Sequence, residues 1–249
     1  MKSRRASTGS TRSLPGLLFK WLLKLSIGWL ILSLLVIMLL RYMNPPVWSW
    51  LILRELNPPE NYPENRHHQW RRLDQIAPAM LLAVVASEDQ HFPLHHGIDF
   101  NAINESLQAA VAGKGLRGAS TLTQQTAKNL FLWEGRDWFR KGLEAVLALL
   151  LEIAWDKQRI LEVYLNIVEF GPGIYGVEAA GEYWFERSSA TLTTRQAALL
   201  AAVLPNPWRY RANPPGPYVA DRARWIQQQM KQLGHAWLIP VTGQKGRRE

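Results

Sequence analysis

The stretch at residues 78–97, PAMLLAVVASEDQHFPLHHG, contains the pattern that decides the fold. Its apolar residues recur at spacings of three and four, which predicts a buried helix over residues 78–88. That helix ends in two adjacent acids, Glu88 and Asp89, and passes into a loop with glycine and histidine. Burial and like charge both raise the pKa of a carboxyl group, so the pair suits a general acid or base near neutral pH. An ordinary polar helix end is the alternative for the same residues.

Two histidines in that loop, His91 and His95, are spaced for one helical face and are candidate metal ligands. The segment lacks the glutamate-containing zinc signature, which makes a zinc site the less favoured interpretation. Cysteine is absent from the chain, so disulfides and thiolate metal sites are excluded.

The rest of the chain also has helical patterns. Apolar residues at three- and four-residue spacing predict further helices at 101–112, 121–132, 137–155, 157–168, 175–185, 194–204 and 220–233. No strand-like alternation competes with them, so the predicted fold class is all-α. Two polar tails, at residues 3–13 and 243–249, are predicted to be disordered.

The first 43 residues have the character of a membrane anchor. They hold seven basic residues and no acid, whereas the remaining chain has 22 basic and 20 acidic residues. The net charge of +9 therefore belongs to the membrane end, which argues against a nucleic-acid partner. As a helix, residues 21–43 span about 34 Å, enough to cross a hydrocarbon core of about 30 Å. No small-residue cleavage site follows, so an uncleaved anchor is favoured over a signal peptide.

Five segments follow from these patterns. Six basic residues precede the uncharged stretch at residues 25–40 and only Arg41 follows it closely, which predicts a cytoplasmic N-terminus with the remaining chain outside. The predicted segments are a cytoplasmic basic tail at 1–20, the transmembrane anchor at 21–43, a proline-rich linker or stalk at 44–70, one helical domain at 71–235 and a C-terminal tail at 236–249.

A polar stripe is predicted on the helix that starts near Thr121. Ser120 is placed as an N-cap, and Thr121 with Gln124 has the pattern of a capping box. Helical spacing then puts Thr121, Gln124, Gln125 and Lys128 on one face. Hydroxyls and amides beside a single cation suit the binding of sugar or phosphate oxygens. A solvated helix face is the alternative.

A second candidate acid, Glu144, follows Arg140 and Lys141 at helical spacing. The two cations are expected to hold Glu144 ionised, the opposite of the expectation for Glu88. Two carboxyl groups in contrasting environments are what acid–base chemistry on a glycoside requires, although a surface ion pair is the alternative. The helix at 157–168 then leads into a glycine-rich loop, where the backbone can closely approach a ligand.

These four clusters, taken in order, resemble the motifs of the bacterial peptidoglycan glycosyltransferases. A short chain with one anchor is similar to the monofunctional biosynthetic transglycosylase branch of that family. The similarity runs from about residue 71 to 210 and includes a fifth motif at 197–207. Gln196 departs from the family pattern, because members usually have a structural glutamate at this position.

The resemblance implies a lysozyme-like helical glycosyltransferase domain with a smaller, membrane-associated lobe. The implied enzyme polymerises lipid II into β-1,4-linked glycan strands and releases undecaprenyl diphosphate. Glu88 is then the general base on the acceptor 4-hydroxyl, and Glu144 assists departure of the diphosphate, directly or as a metal ligand. The resemblance gives substrate-binding roles to Asp89, Phe92, His95, Ser120, Thr121, Gln124, Gln125, Lys128 and Arg140.

The resemblance implies a divalent cation, Mg2+ or Mn2+, as cofactor. It does not imply that the cation is obligatory. The implied partners are lipid II, the lipid-linked glycan chain and the membrane, with cell-wall synthases and divisome proteins as further candidates. The family places such an enzyme in the bacterial inner membrane, with its catalytic domain in the periplasm, and connects it to cell-wall biogenesis and cell shape.

Two other functions stay open at this point. A lysozyme or lytic transglycosylase uses a similar scaffold and one glutamate, but it has no evident use for Lys128 together with Arg140. A catalytically silent membrane scaffold needs the anchor and the core but neither Glu88 nor Glu144.

Overall fold

The structure is a computed structural model that describes residues 14–113, 118, 120–135 and 137–243. Within these ranges the α-helices are α1 (Leu14–Leu40), α2 (Ser49–Leu56), α3 (Pro78–Glu88), α4 (Phe100–Val111), α5 (Leu122–Phe131), α6 (Trp138–Ala154), α7 (Lys157–Ile167), α8 (Val177–Phe185), α9 (Thr194–Val203), α10 (Pro217–Leu233) and α11 (Ile239–Thr242). Short 3-10 helices occur at Leu73–Gln75, Ser189–Thr191 and His235–Leu238. The tails that were predicted to be disordered lie outside the described residues, apart from Gly243.

The core is built around α3. All residues from Met80 to Ala86 are buried, because α9 packs against this helix on one side and α10 on another. The next layer consists of α5 packed on α6 and α7. Every helix expected from the sequence is present, with small differences at the ends, and the predicted all-α class is confirmed.

One small sheet was not expected from the sequence. It has the strand order β1 (His67–His68), β3 (Ile174–Tyr175) and β2 (Glu169–Gly171), with β1 parallel and β2 antiparallel to β3. Strands of two or three residues are too short to show an alternating pattern. The sheet closes the glycine-rich loop that follows α7.

The N-terminal helix α1 contains an apolar span, Leu17–Leu40, with a mean hydropathy of 2.4 and little burial within the protein. Its length and composition are sufficient to cross a membrane. The end of α1 is fixed to the domain: Trp155 Nε1 donates to the carbonyl of Ile37 at 2.7 Å, and Arg159 Nη2 donates to the carbonyl of Leu40 at 2.8 Å. The bond to Leu40 satisfies a carbonyl group at the end of the helix, and Ile37 accepts the indole in addition to the backbone N–H of Arg41.

The segment at 44–70, expected to be a linker, packs on the domain. Trp48 and Leu51 are buried, α2 lies against α5, and the strand β1 belongs to the sheet. Leu238 and Val241, in the predicted C-terminal tail, are buried as well. The proline-rich composition of residues 44–70 indicated breaks between short helical elements. It did not indicate that these elements pack against the domain.

Candidate active site

A cavity of about 380 Å³ opens beside the C-terminal end of α3. Its walls come from that helix end, from α4, from the residues at the start of α5 and from α10. Glu88 lines the cavity, together with Ser120 and Trp225. The carboxyl pair predicted at the end of a buried helix therefore stands at the wall of a cavity.

Glu88 is held by two successive hydrogen bonds. Gln125 Nε2 donates to Glu88 Oε2 at 2.9 Å, and the buried Tyr164 hydroxyl donates to Gln125 Oε1 at 3.1 Å. The tyrosine therefore orients the amide so that its NH2 group faces the carboxylate. Burial raises the pKa of Glu88, while the bond from Gln125 and the charges of Arg222 and Lys128 act in the opposite direction. A carboxyl group with a raised pKa is suited to exchanging a proton with a bound hydroxyl group.

The neighbouring acid, Asp89, has a different role. Its carboxylate contacts His95 Nε2 at 2.9 Å and accepts the backbone N–H of Leu122 at 2.8 Å. Asp89 therefore connects the end of α3 to the loop and to the start of α5. Phe92 is fully buried, with Lys157 over its ring at 4.5 Å, so this predicted substrate contact is a core residue.

The histidines do not converge. His91 Nδ1 is 2.8 Å from a carboxylate oxygen of Asp99, whereas His95 pairs with Asp89. Among the described residues no group of three or more histidines and acids is placed to hold a metal ion. The less favoured interpretation of these histidines as zinc ligands is therefore not supported by their positions.

The start of α5 is fixed to the loop before α4. Thr121, not Ser120, is the N-cap, and it forms the expected capping box with Gln124. The Thr121 hydroxyl also donates to the carbonyl of Gly97 at 2.6 Å. Thr121 and Gln124 are consequently engaged within the protein, while Ser120 lines the cavity and accepts a bond from Lys141 Nζ at 3.0 Å.

A cluster of charged groups lies next to this position. Arg140 Nη1 donates to Glu144 Oε2 at 2.8 Å, and Lys141 Nζ contacts the other carboxylate oxygen of Glu144. Arg140 Nε also donates to the carbonyl of Gly135 at 3.0 Å. Arg140 and Glu144 are both buried, so the ion pair predicted from helical spacing is internal and not a surface pair.

The pKa of Lys128 is affected by the charges of both candidate acids, Glu88 and Glu144. Burial lowers the pKa of Lys128; Glu144 and Glu88 raise it, and Arg140 and Lys141 lower it further. Charges on all four groups are therefore close enough to act on one ammonium. The predicted polar stripe therefore has two parts. Gln125 contacts Glu88 and Lys128 lies among the charged groups, whereas Thr121 and Gln124 cap the start of α5.

The residues around Glu144 do not fit a protein-held divalent cation. Both carboxylate oxygens of Glu144 already accept hydrogen bonds from cationic side chains. Lys128 adds a third positive charge nearby. A divalent cation brought to this carboxylate meets repulsion from these side chains, and the described residues contain no group of three or more histidines and acids placed to hold it.

An aromatic cluster near Lys128 was missed in the sequence. The Lys128 ammonium lies 5.1 Å from the centre of the Trp50 ring, and Trp50 Nε1 donates to Glu169 Oε2 at 3.2 Å. Trp208 Nε1 donates to the other oxygen of Glu169 at 3.1 Å, and the Arg54 guanidinium lies over both indole rings. Trp50 and Arg54 belong to α2, in the segment expected to be a linker, where helical spacing gave no indication of this contact.

The glycine-rich loop after α7 is structural. Gly176 has a φ of +79°, and a Cβ at this position would lie 2.7 Å from the carbonyl oxygen of Asn166. Asn166 is fully buried and exchanges hydrogen bonds with the backbone of Arg71. The sequence predicted that the backbone of this loop closely approaches a ligand, and in the structure Gly176 instead closely approaches the backbone of Asn166.

Gln196 forms a capping box with Thr193 at the start of α9, which is a role that a glutamate also fills.

A helical domain that places a partly buried carboxyl group in the wall of a cavity has the arrangement of an enzyme active site. Residues 55–231 match the family model described as Transglycosylase. The chain belongs to the transglycosylase family and is a glycosyltransferase, as the sequence motifs predicted.

Proteins called biosynthetic peptidoglycan transglycosylase are close relatives of the chain. The relative from Shewanella oneidensis is 56% identical over 224 residues, covering 90% of this chain and 96% of the relative. The one from Shewanella amazonensis is 57% identical over 220 residues, covering 88% and 89%. The one from Vibrio parahaemolyticus is 46% identical over 227 residues, covering 91% and 99%.

Proposed function

We propose that this chain is a peptidoglycan glycosyltransferase that polymerises lipid II, an undecaprenyl-diphosphate-linked disaccharide pentapeptide, into β-1,4-linked glycan strands. The observation that carries the proposal is that α5 carries both Gln125, which donates to Glu88 at the cavity, and Lys128, one turn further along the helix. A base beside a cation cluster suits a reaction in which a hydroxyl displaces a diphosphate. The relatives called biosynthetic peptidoglycan transglycosylase support peptidoglycan as the polymer that the enzyme makes.

In the proposed reaction Glu88 accepts the proton of the acceptor 4-hydroxyl. A bond forms between that oxygen and the anomeric carbon of the donor sugar, while the bond from this carbon to the diphosphate oxygen breaks. The electron pair leaves with undecaprenyl diphosphate. Because burial raises the pKa of Glu88, its carboxylate is a better proton acceptor than a solvated one. The bond from Gln125 and the charges of Arg222 and Lys128 lower the pKa of Glu88 and so favour its ionised form.

Lys128 and Arg140 are the proposed cations for the departing diphosphate. Low solvent access strengthens their interaction with the negative charge that develops as the bond breaks. Glu144 contributes by holding Arg140 and Lys141 in place through its two carboxylate oxygens. We assign no step to a divalent cation held by Glu144, because the groups around that carboxylate do not fit one.

The membrane is the proposed location of the reaction. The apolar span of α1 is suited to a single-pass anchor, and its basic preceding residues favour a cytoplasmic N-terminus and a periplasmic domain at the inner membrane. Large exposed apolar side chains on α4 and α6 are suited to contact with lipid: Phe100, Leu107, Val111, Trp138, Phe139 and Ile153. A lipid-linked substrate can then reach the cavity without leaving the bilayer surface.

The proposal is tested with the purified full-length chain and lipid II in detergent or lipid. We expect long glycan strands and released undecaprenyl diphosphate. Degradation of preformed glycan without polymer synthesis contradicts the proposal and supports a lytic enzyme. Lys128→Ala should weaken use of the lipid-linked donor, whereas Lys231→Ala, which removes an exposed cation from α10, should not.

A further inference from the structure

The cavity beside Glu88 is chemically different from the cation cluster. Its described lining residues include the acids Glu88, Asp99 and Glu105 and no lysine or arginine. A diphosphate would meet repulsion there, whereas a neutral, hydroxyl-rich molecule would find hydrogen-bond acceptors. The volume of about 380 Å³ is in the range of pockets that bind small molecules. The cavity therefore suits a sugar and not the anionic part of the substrate.

One aromatic residue, Trp225, is found among the described residues that line this cavity. It belongs to α10 and keeps 38% of its surface exposed, although it is a large apolar side chain. The same helix buries Ala223 and Ile226 in the core, so the backbone that carries Trp225 is firmly placed. An indole ring offers a flat apolar face, and the C–H face of a pyranose ring packs well on such a surface.

Arg222 fixes the position of this indole. Its guanidinium lies 4.2 Å from the centre of the Trp225 ring, and its Nη2 atom donates to the carbonyl of Ser87 at 3.1 Å. Ser87 immediately precedes Glu88, so the arginine connects the aromatic ring directly to the backbone of the candidate base. Cation–aromatic contact and the hydrogen bond together reduce the freedom of the ring before a ligand arrives.

We propose that Trp225, held by Arg222, is a stacking platform for the acceptor sugar and positions its 4-hydroxyl at Glu88. The inference rests on the proposed function, because it assumes that Glu88 receives the proton of that hydroxyl. It assigns to α10 a substrate contact that none of the sequence motifs includes. Stacking on one sugar face orients the ring, while the acidic wall of the cavity accepts hydrogen bonds from its hydroxyl groups.

The test separates acceptor from donor. A labelled lipid II whose terminal 4-hydroxyl is methylated serves only as donor, and a lipid-linked disaccharide with a non-leaving ether at its anomeric carbon serves only as acceptor. Initial coupling rates are measured with the full-length chain while each substrate is varied in turn. Trp225→Ala and Trp225→Phe are compared with Tyr183→Ala, which removes another exposed aromatic side chain, on α8.

For Trp225→Ala we expect the acceptor KM to rise about tenfold, since one aromatic contact is lost, with the donor KM and kcat changed less than about twofold. Trp225→Phe keeps a ring and should raise the acceptor KM by about threefold or less, and Tyr183→Ala should match the wild type. If Trp225→Ala does not fold, Trp225→Leu retains apolar bulk without a ring and should show the same rise. An unchanged acceptor KM in the variant without a ring overturns the inference.

Failure of the inference and failure of the proposed function have different signatures. If Glu88→Gln abolishes coupling but Trp225→Ala leaves the acceptor KM unchanged, the stacking role of Trp225 is refuted and the proposed function still stands. Wild-type coupling in Glu88→Gln removes Glu88 as the base and, with it, the inference, whereas no coupling by the unmodified chain removes the proposed function itself.

Discussion

Replacing Trp50 by leucine should change the pH range in which the enzyme is active. The indole ring faces the Lys128 ammonium at 5.1 Å, and such a contact stabilises the charged form of a lysine by about 1 kcal/mol at a partly buried site. That energy corresponds to a roughly fivefold change in the protonation equilibrium. Burial already lowers the pKa of Lys128, so loss of the ring adds to a shift in the same direction.

The sign follows from the form that the ring stabilises. Without the indole, Lys128 loses its proton at a lower pH, and the alkaline limb of the kcat/KM profile for lipid II should move to lower pH. Trp50→Phe is the matched control: it keeps an aromatic face but loses the hydrogen bond from Trp50 Nε1 to Glu169. Its alkaline limb should stay close to that of the wild type.

The assay is polymerisation of lipid II at limiting substrate across the alkaline range, with thermal melts to confirm folding at each pH. If the limbs of Trp50→Leu, Trp50→Phe and the wild type coincide, the contact between the ring and Lys128 does not tune the cation. If Trp50→Phe shifts as far as Trp50→Leu, the hydrogen bond to Glu169, and not the ring face, is responsible.

Three further substitutions test other parts of the site and fold. Gln125→Leu removes a bond that favours ionised Glu88, so the acid limb of the rate profile should move to higher pH; an unmoved limb contradicts that role. Gly176→Ala places a Cβ against the carbonyl of Asn166 at a positive φ, and should lower the free energy of unfolding by about 3 kcal/mol or more in denaturant titrations; a loss below about 1 kcal/mol would contradict the geometry. Gln196→Glu retains the capping box of α9 and should change that free energy by no more than about 1 kcal/mol, whereas a large loss would give the amide a role beyond capping.

The helices could be predicted because their signals are local. The apolar residues of α3 and the capping box of Thr121 with Gln124 are determined by neighbours within one or two turns. The same holds for the ion pair between Arg140 and Glu144, which are four residues apart on one helix. Gln196 differs from the family pattern, yet it meets the local rule for a capping box, which accepts glutamine as well as glutamate.

Contacts between distant segments could not be predicted in the same way. The Trp50 ring meets Lys128 because α2 packs on α5, and no spacing within either helix indicates that packing. Trp225 reaches the cavity only because α10 packs on α3. For Phe92, the family resemblance implied a ligand contact, and the fold buries the ring in the core through packing that no local spacing indicates.

The central claim is that one carboxyl group accepts the sugar proton while nearby cations receive the diphosphate. Single-turnover coupling by Glu88→Gln measures it most directly, because glutamine preserves shape and can still contact Gln125 but cannot accept the proton. We expect a loss of at least about a hundredfold in the coupling rate, within the usual contribution of a general base, with lipid II binding and the thermal melt close to those of the wild type. Coupling at the wild-type rate in this variant would contradict the account.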